Sequence, residues 1–219
     1  MVLVAFESST RSPSVAALVD GELLERDLDG ERAHASDLLP CLSLLLEAQG
    51  RSPKDVTGVA VGIGPGSYTG LRVGIATAQG VARAAGAKLV GIPSGEALAH
   101  AELSPGEHGD LLIDARGGAL YHARFERTED GVETLIAPRV VPAESLAELL
   151  DECSVVFLDE ALKSAVASRD DQRLILGSAP RARSLLMLAK RRLESSSQDD
   201  PSSVLPLYLR PFEGRIRKR

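Results

Sequence analysis

The sequence predicts an α/β protein built from two copies of one unit, each a mixed β-sheet flanked by helices. In both copies three strands precede alternating helices and strands, and the hydrophobic period changes there from about two to about 3.6 residues. The first strand of each copy ends in an acid, Glu7 or Asp114, and an Asp-Gly step follows at Asp20 or Asp130. We therefore expect two βββαβα-type lobes, each extended by a further strand and helix.

The first copy opens with the strand Val2–Phe6, which SVAALV and ELLERDL extend into a meander. The Asp20-Gly21 step predicts a tight hairpin because both central residues of a type I′ turn need positive φ. Ser36 is the expected cap of the first helix, and Gly50 is its expected stop. The expected helices are SDLLPCLSLLLEAQ, TGLRVGIATAQGVARAA and SGEALAHA, separated by the strands VTGVAVG and KLVGI.

The second copy begins with the strand Leu111–Ile113. ALYHARFE and ETLIAPRVV follow as strands, and the remaining helices and strands are PAESLAELLDE, SVVFLD, ALKSAVAS, RLILG and APRARSLLMLAKRRL. ELSPGEHGD, Glu102 to Asp110, is rich in turn formers and marks the join. The expected lobes are residues 1–104, with the glycine-rich loop and the dimerisation helices, and residues 105–219, whose last helix and basic tail pack back on the first lobe. A cleft is expected between them.

The stretch GIGPGSYTGLRVG, residues 62–74, places five glycines between a predicted strand and a predicted helix. Such a loop can bind an anion or nucleotide phosphate through backbone N–H groups at the helix N-terminus. The residues for that role are Gly64, Gly66, Ser67 and Thr69. Alternatively, the glycines let two backbones pack closely. The loop lacks the GK[ST] ending of a P-loop and the GxSxG pattern of a nucleophile turn.

Glu7 and Asp114 are the acids best placed to serve a cleft. Each ends the first strand of its copy, where a two-lobed phosphotransferase holds hydrated Mg²⁺ around a nucleotide. The alternative is that each accepts hydrogen bonds from the adjacent turn. The four histidines form no HxxxH pair and the two cysteines form no CxxC pair. We therefore assign no catalytic residue and no metal site.

Two helices carry a pattern that is typical of a subunit interface. The first is apolar nearly all round, so a second protein is a candidate for covering its outer face. The helix after the glycine loop has a small residue at every fourth position, which either lets a partner approach closely or packs on the chain's own sheet. The predicted interface residues are Leu38, Cys41, Leu42, Leu45, Gly70, Gly74, Ala78 and Ala82.

The charge distribution limits the partners. A net charge of −6 argues against a nucleic-acid-binding surface over the whole molecule. The segment Leu205–Arg219 carries five basic residues and one acid, which leaves 20 basic and 30 acidic residues elsewhere. This tail is expected either to be solvated or to contact RNA. The candidate contacts are Arg215, Arg217, Lys218 and Arg219.

Cysteine use and hydropathy indicate the compartment. Cys41 and Cys153 lie in apolar segments, as reduced thiols do, which favours an intracellular protein. The N-terminal MVLVAFESST lacks the positive region of a signal peptide, and no apolar run approaches the length of a membrane span. We expect a cytoplasmic protein without membrane contact.

The stretch GIGPGSYTGLRVGIATAQGVA resembles the bacterial TsaB family, also called YeaZ. FESSTRSPSVAAL, HASDLLPCL, IDARGGALYHARFE and PLYLR extend the resemblance in order along nearly the whole chain. The resemblance implies a duplicated fold of the actin-like ATPase and sugar-kinase superfamily, which is ribonuclease H-like. One departure is Glu7, where family members commonly have aspartate within an IDTA-like string.

The resemblance also implies a role in placing a threonylcarbamoyl group on the adenosine beside the anticodon of tRNA. TsaB-like proteins do not catalyse this transfer: they dimerise with their paralogue TsaD, which transfers the group, and the ATPase TsaE joins them. The implied state is a homodimer when TsaD is absent, with no cofactor of its own and ATP or Mg²⁺ bound only in the complex with TsaD. Two alternatives remain at this point, an independent ATP-dependent phosphotransferase or ATPase and a glycoprotease-like enzyme.

Overall fold

Two five-stranded sheets organise the chain in the computed structural model, which describes residues 1–10, 12–28, 37–151, 155–158, 162, 173–176, 180–194 and 200–209. The first sheet contains β1 (Val2–Glu7), β2 (Ser14–Val19), β3 (Glu22–Asp27), β4 (Gly58–Gly62) and β5 (Lys88–Ile92). The second contains β6 (His108–Asp114), β7 (Ala119–Thr128), β8 (Gly131–Pro142), β9 (Val155–Leu158) and β10 (Arg173–Leu176).

The two sheets share one topology. The strand order is β3-β2-β1-β4-β5 in the first sheet and β8-β7-β6-β9-β10 in the second. In each sheet the three sequential strands pair antiparallel, and the last two add in parallel beside the first strand. This correspondence confirms the predicted duplication.

Within the described ranges, five α-helices cover the sheets. They are α1 (Leu38–Glu47), α2 (Tyr68–Ala85), α3 (Ser94–Glu102), α4 (Leu146–Asp151) and α5 (Ala182–Glu194), with short 3₁₀ turns at Pro53–Asp55 and Ala143–Ser145. The predicted helix cap Ser36 and most of the predicted helix ALKSAVAS lie outside the described residues. Among the described residues, no helix is both long enough and apolar enough to cross a bilayer.

The helices divide the apolar core into layers. α1 and α2 pack on one face of the first sheet, and α3 and α5 pack on the other. α3 also contacts the second sheet through Leu98 and Ala99, while α4 covers the far face of that sheet around Leu112. The last helix, α5, therefore completes the core of the sheet formed by the first part of the chain.

Two polar contacts tie α5 to elements from both parts of the chain. Arg192 of α5 pairs with the buried Glu96 of α3 at 3.2 Å, and Arg191 pairs with Asp130 at the β7–β8 turn at 2.6 Å. At the other end of the helix, Ser14 Oγ of β2 accepts a hydrogen bond from the backbone N–H of Ala182 at 2.9 Å.

Two local expectations need correction. The first hairpin has positive φ at Asp20 and Gly21, as predicted, but Thr128 pairs with Gly131, so Glu129 and Asp130 occupy the second turn and neither has positive φ. Gly131 instead begins β8. The predicted join is also shorter, because β6 starts at His108 within it and only residues 103–107 connect α3 to β6. The division at residue 104 remains a prediction.

Candidate functional site

The glycine-rich loop connects β4 to α2 and lies against the turn that follows β1. The backbone N–H of Ser67 donates to the carbonyl oxygen of Ser9 at 2.7 Å. The N–H of Gly64 donates to Ser94 Oγ, at the start of α3, at 3.2 Å. Two of the four residues predicted to bind a phosphate through their N–H groups therefore donate to acceptors within the protein.

Close approach of two backbones explains three of the glycines. A Cβ atom at Gly66 would overlap with the carbonyl oxygen of Ser9, and one at Gly70 would overlap with that of Ser8. A Cβ atom at Gly74 would overlap with the hydroxyl of Ser8, which donates to the Gly70 carbonyl oxygen at 2.9 Å. The packing alternative therefore accounts for these positions. A residual anion site remains a prediction.

Ser67 caps α2 from within the loop. Its Oγ accepts a hydrogen bond from the N–H of Gly70 at 3.2 Å, and its carbonyl oxygen accepts from the N–H of Leu71 at 2.9 Å. A serine at this position satisfies first-turn donors that would otherwise face solvent or a ligand. Thr69 lies exposed on the same turn.

Glu7 is fully buried and does not face an open cleft, contrary to the prediction. Its Oε1 accepts a hydrogen bond from the N–H of Ser9 at 2.6 Å. Within the described residues, Glu7 Oε2 and Ser9 Oγ have no hydrogen-bond partner. Burial raises the pKa of Glu7, and the neighbouring polar groups of Ser9, Ser94 and Ser8 offset this only in part. The carboxyl group lies beneath Gly62, where a Cβ atom would overlap with it.

Asp114 occupies the equivalent position in the second copy, but it is exposed. Its Oδ1 accepts from the N–H of Arg116 at 2.7 Å, two residues ahead, just as Glu7 accepts from Ser9. Both acids therefore hold the turn after their strand, which was the alternative to a magnesium role. Over the ranges that the structure describes, no group of three or more His, Cys, Asp or Glu side chains is arranged to hold a metal ion.

Most of the predicted interface residues are part of the chain's own core. Leu38, Cys41 and Leu42 of α1 are at most 4% exposed. Ala78 and Ala82 of α2 lie in the same cluster against the first sheet. Gly74 is also buried, whereas Leu45 and Gly70 are partly exposed. The buried side chains cannot contact a partner directly, because the helix faces on which they lie pack against the chain's own sheet.

The same two helices expose other apolar residues. Leu39 and Leu44 of α1 are 45% and 54% exposed. A shallow open groove runs between the helices, and it is lined by Leu39, Arg72, Val73, Ala76, Thr77, Gly80 and Val81. Its lining is mostly apolar, so the groove is a candidate docking surface. It lies on the two helices predicted to form an interface, but it is lined by residues other than the predicted ones. The sequence showed two apolar faces on α1 but not which one packs inward.

A buried polar network in the second sheet was not predicted. His122 Nε2 lies 2.6 Å from Asp110 Oδ1, and Arg124 Nε donates to Asp110 Oδ2 at 2.9 Å. On its other side, His122 Nδ1 accepts from Arg139 Nε at 3.2 Å, so Nε2 carries the proton that bonds Asp110. The network joins β6, β7 and β8 on one face. No short sequence motif predicts this network, because its residues lie on different strands and only the strand register brings them together.

The four basic residues predicted to contact tRNA lie outside the described residues; they are Arg215, Arg217, Lys218 and Arg219. Their contact with tRNA stays a prediction. The chain preceding them, residues 200–209, is described and packs on the first sheet and α2 through Val204, which lies in the core.

Comparisons with known proteins agree with this fold. The TsaD family model, described as tRNA N6-adenosine threonylcarbamoyltransferase, matches residues 29–161. The tRNA threonylcarbamoyladenosine biosynthesis protein TsaB of Escherichia coli is 29% identical over 224 aligned residues, covering 96% of this chain and 95% of that protein. The Bacillus subtilis TsaB is 26% identical, covering 99% and 97%.

A solved structure of YeaZ from Pseudomonas aeruginosa is also similar. Its TM-score is 0.79 at 28% identity, and the match covers 95% of this chain and 99% of the other. This structural match supports the α/β fold with two sheets of like topology described above. The chain therefore belongs to the TsaD family of the matching model and, within it, to the TsaB (YeaZ) proteins of tRNA threonylcarbamoyladenosine biosynthesis.

Proposed function

We propose that this chain is a noncatalytic dimerisation and support subunit of the complex that transfers a threonylcarbamoyl group to the adenosine beside the anticodon of tRNA. In this proposal, a TsaD partner performs the transfer, and the ATPase TsaE joins the two. The chain reaches tRNA through the complex, forms a homodimer when TsaD is absent, and works in the cytoplasm.

The observation that carries the proposal is the exposed apolar surface of α1 and α2. Leu39, which lines the groove together with Val73, Ala76 and Gly80, is 45% exposed, and Leu44 of the same helix is 54% exposed. A groove floor of small residues lets a partner helix approach closely, and apolar rims release water when covered. A subunit of matching shape is the natural occupant.

The contacts that the glycine-rich loop makes within the chain favour a noncatalytic subunit over an independent phosphotransferase. The turn of Ser8 and Ser9 occupies the space next to Gly66 and Gly70. Ser67 supplies its own cap to α2. A nucleotide phosphate at this helix end would have to displace contacts that the chain makes with itself.

The interface is tested by placing one charge in the groove. Ala76→Arg adds a second guanidinium to a groove whose lining, apart from Arg72, is mostly apolar, whereas Ala84→Arg makes the same change at another exposed position of α2 that does not line the groove. We expect Ala76→Arg to keep its circular dichroism spectrum and its free energy of unfolding within about 0.5 kcal/mol, as surface changes do. It should lose at least tenfold in affinity for TsaD and become monomeric alone, because a charge is desolvated in the interface.

The measurement is the mass in solution, by light scattering, with and without TsaD. Ala84→Arg should assemble like the unmodified chain. Equal assembly of both variants would contradict the interface. ATP hydrolysis by the purified chain alone, lost in Glu7→Ala, would contradict the noncatalytic role and favour the alternative of an independent ATPase.

A further inference from the structure

Residues 200–209 form a strap that is fixed across α2 and the first sheet. Gln79 Nε2 of α2 donates to the carbonyl oxygens of Pro201 at 2.7 Å and Val204 at 3.1 Å. The N–H of Leu207 donates to the carbonyl oxygen of Ile63, at the start of the glycine-rich loop, at 2.8 Å. Val204 is buried in the core. The strap therefore holds the residue that follows, Tyr208, in a defined place.

Tyr208 stacks on Tyr68, the first residue of α2. The ring centroids are 5.3 Å apart and the ring planes differ by 24°. Arg72, one turn further along α2, lies with its guanidinium carbon 5.3 Å from the centre of the Tyr68 ring and donates to the Tyr68 hydroxyl at 2.6 Å. Tyr208 is 50% exposed and Tyr68 is 37% exposed. The cluster is thus an exposed aromatic surface with a cation beside it.

This cluster concentrates the exposed aromatic area of the described chain. The sequence contains three tyrosines, four phenylalanines and no tryptophan. Three of the phenylalanines, Phe6, Phe125 and Phe157, are fully buried. Two of the three tyrosines meet at this one place on the surface. Exposure of two large aromatic side chains side by side is less favourable for stability than their burial, so it indicates a binding role.

The charge of the sequence that follows the strap favours a polyanionic partner. The sequence after the strap, residues 210–219, carries five basic residues and one acid, whereas the rest of the chain has a net charge of −10. Exposed aromatic rings next to cations are the means by which proteins hold unpaired bases, since every base has a π-face and every nucleotide a phosphate.

We propose that Tyr68, Arg72 and Tyr208 form a stacking platform for an unpaired base of RNA. The proposal rests on the proposed function, which makes tRNA the source of that RNA. A base stacks on the exposed face of Tyr208, the Tyr68 ring supports Tyr208 from the other side, and the guanidinium of Arg72 lies near the flanking phosphates. The cluster borders the α1–α2 groove, since Arg72 belongs to both. A protein partner is the less favoured occupant of the cluster, because the cluster adds two stacked aromatic rings and a cation to the mostly apolar lining of the groove.

The test compares Tyr208→Ala with Tyr208→Phe and Leu205→Ala in the full chain. The probe is a fluorescein-labelled anticodon stem-loop RNA, with an RNA duplex of equal length as the second ligand, and the readout is fluorescence anisotropy. Loss of one stacked base should weaken stem-loop binding about tenfold in Tyr208→Ala. Tyr208→Phe keeps the ring, and Leu205→Ala changes an exposed, non-aromatic strap residue, 66% exposed; both should bind as the unmodified chain does.

Two further readouts separate stacking from charge. Because the chain has no tryptophan, a Tyr121→Phe background leaves Tyr68 and Tyr208 as the only tyrosine emitters, and stem-loop RNA should quench their fluorescence. Deletion after Pro211 should lower the slope of log affinity against log salt, through loss of cations, and leave the tenfold effect of Tyr208→Ala in place.

Equal binding of the stem-loop by Tyr208→Ala and the unmodified chain would overturn the proposal. So would loss of TsaD assembly by Tyr208→Ala with unchanged RNA affinity, since the surface would then bind protein. Failure of the chain to assemble with TsaD would remove the proposed function, but a Tyr208-dependent RNA affinity in the same chain would still support the platform.

Discussion

At the scale of single residues, the most unusual group is the buried carboxyl of Glu7. It has one short hydrogen bond, to the N–H of Ser9, and its second oxygen has no partner among the described residues. An ionised carboxylate in such a place loses its hydration without full compensation, so the proton is favoured and the pKa is raised. Glu7 therefore holds the turn that supports the glycine loop, at a cost that depends on pH.

This cost predicts a pH dependence of stability. The folded-state pKa of Glu7 lies above the unfolded value of 4.5, so the folded chain binds the proton more tightly. Below pH 4.5 both states are protonated and the cost is absent; as the pH rises from 4.5 through the raised pKa, this contribution to stability is lost. Glu7→Gln removes the titration and keeps the size. We therefore expect Glu7→Gln to become more stable relative to the unmodified chain as the pH rises from 5 to 8. The difference in free energy of unfolding should grow by about 1.4 kcal/mol for each pH unit, until the pH reaches the raised pKa of Glu7.

Urea denaturation at a series of pH values measures this difference. Asp114→Asn is the matched control, because the equivalent acid of the second copy holds the same kind of turn but is exposed. It should show no such widening. A constant difference between Glu7→Gln and the unmodified chain from pH 5 to pH 8 would contradict the account of Glu7.

The sequence placed these residues on the correct elements but not in the correct environments. Glu7 and Asp114 were both predicted to end a first strand, and both do. Their burial differs because Glu7 is covered by the glycine loop and the start of α3, contacts that join distant parts of the chain. His122 and Asp110 show the same limit, since only the register of β6 and β7 brings them together.

At the scale of elements, α2 is shaped by what it packs against. Its glycines are not equivalent: Gly74 faces Ser8, while a Cβ atom at Gly80 would meet nothing within 4 Å. The regular spacing of small residues that suggested a partner therefore reflects packing inside the chain, against Ser8 at Gly70 and Gly74 and in the core at Ala78 and Ala82. Gly80 lies outside that spacing and lines the open groove.

The two glycines give a matched pair of substitutions. Gly80→Ala should raise the free energy of unfolding by about 0.5–1 kcal/mol, the usual gain of alanine over glycine inside a helix. Gly74→Ala should lower it by about 1–3 kcal/mol, because the new methyl group overlaps with Ser8 Oγ and breaks its hydrogen bond to Gly70. Chemical denaturation of both variants measures the effect. Stabilisation by Gly74→Ala as large as that by Gly80→Ala would show that Ser8 does not constrain the helix.

The burial of each leucine on α1 decides whether a substitution there tests the interface or the fold. Leu42 is fully buried against the first sheet, so a charge there disrupts the fold and gives no information on assembly. Leu39, only three residues earlier, is 45% exposed and is the position at which a charge tests the interface. The sequence predicted the helix and its unusual hydrophobicity correctly, whereas the direction in which each leucine points depends on the sheet beneath it.

At the scale of the whole molecule, the two sheets are similar in topology but not independent. The face of the first sheet that carries Leu3, Ala5 and Ile92 is covered by Leu185 and Leu186 of α5, which the chain makes only after finishing the second sheet. α3 contacts both sheets through different residues. A duplication visible in the sequence therefore does not imply two separately stable domains.

This dependence predicts that residues 1–104 do not fold alone. Without α5, the fragment exposes a continuous apolar sheet face, and burial of that face supplies much of its driving force. Residues 1–104 expressed alone should lack a cooperative thermal transition, and coexpression with residues 105–219 should recover a copurifying, folded pair. Leu186→Asp in the second fragment should abolish the pairing, since Leu186 is 1% exposed, whereas Met187→Asp, at a residue 45% exposed on the same helix, should preserve it. Affinity copurification and calorimetry measure both results, and a cooperative transition in residues 1–104 alone would show that the first sheet is stable without the last helix.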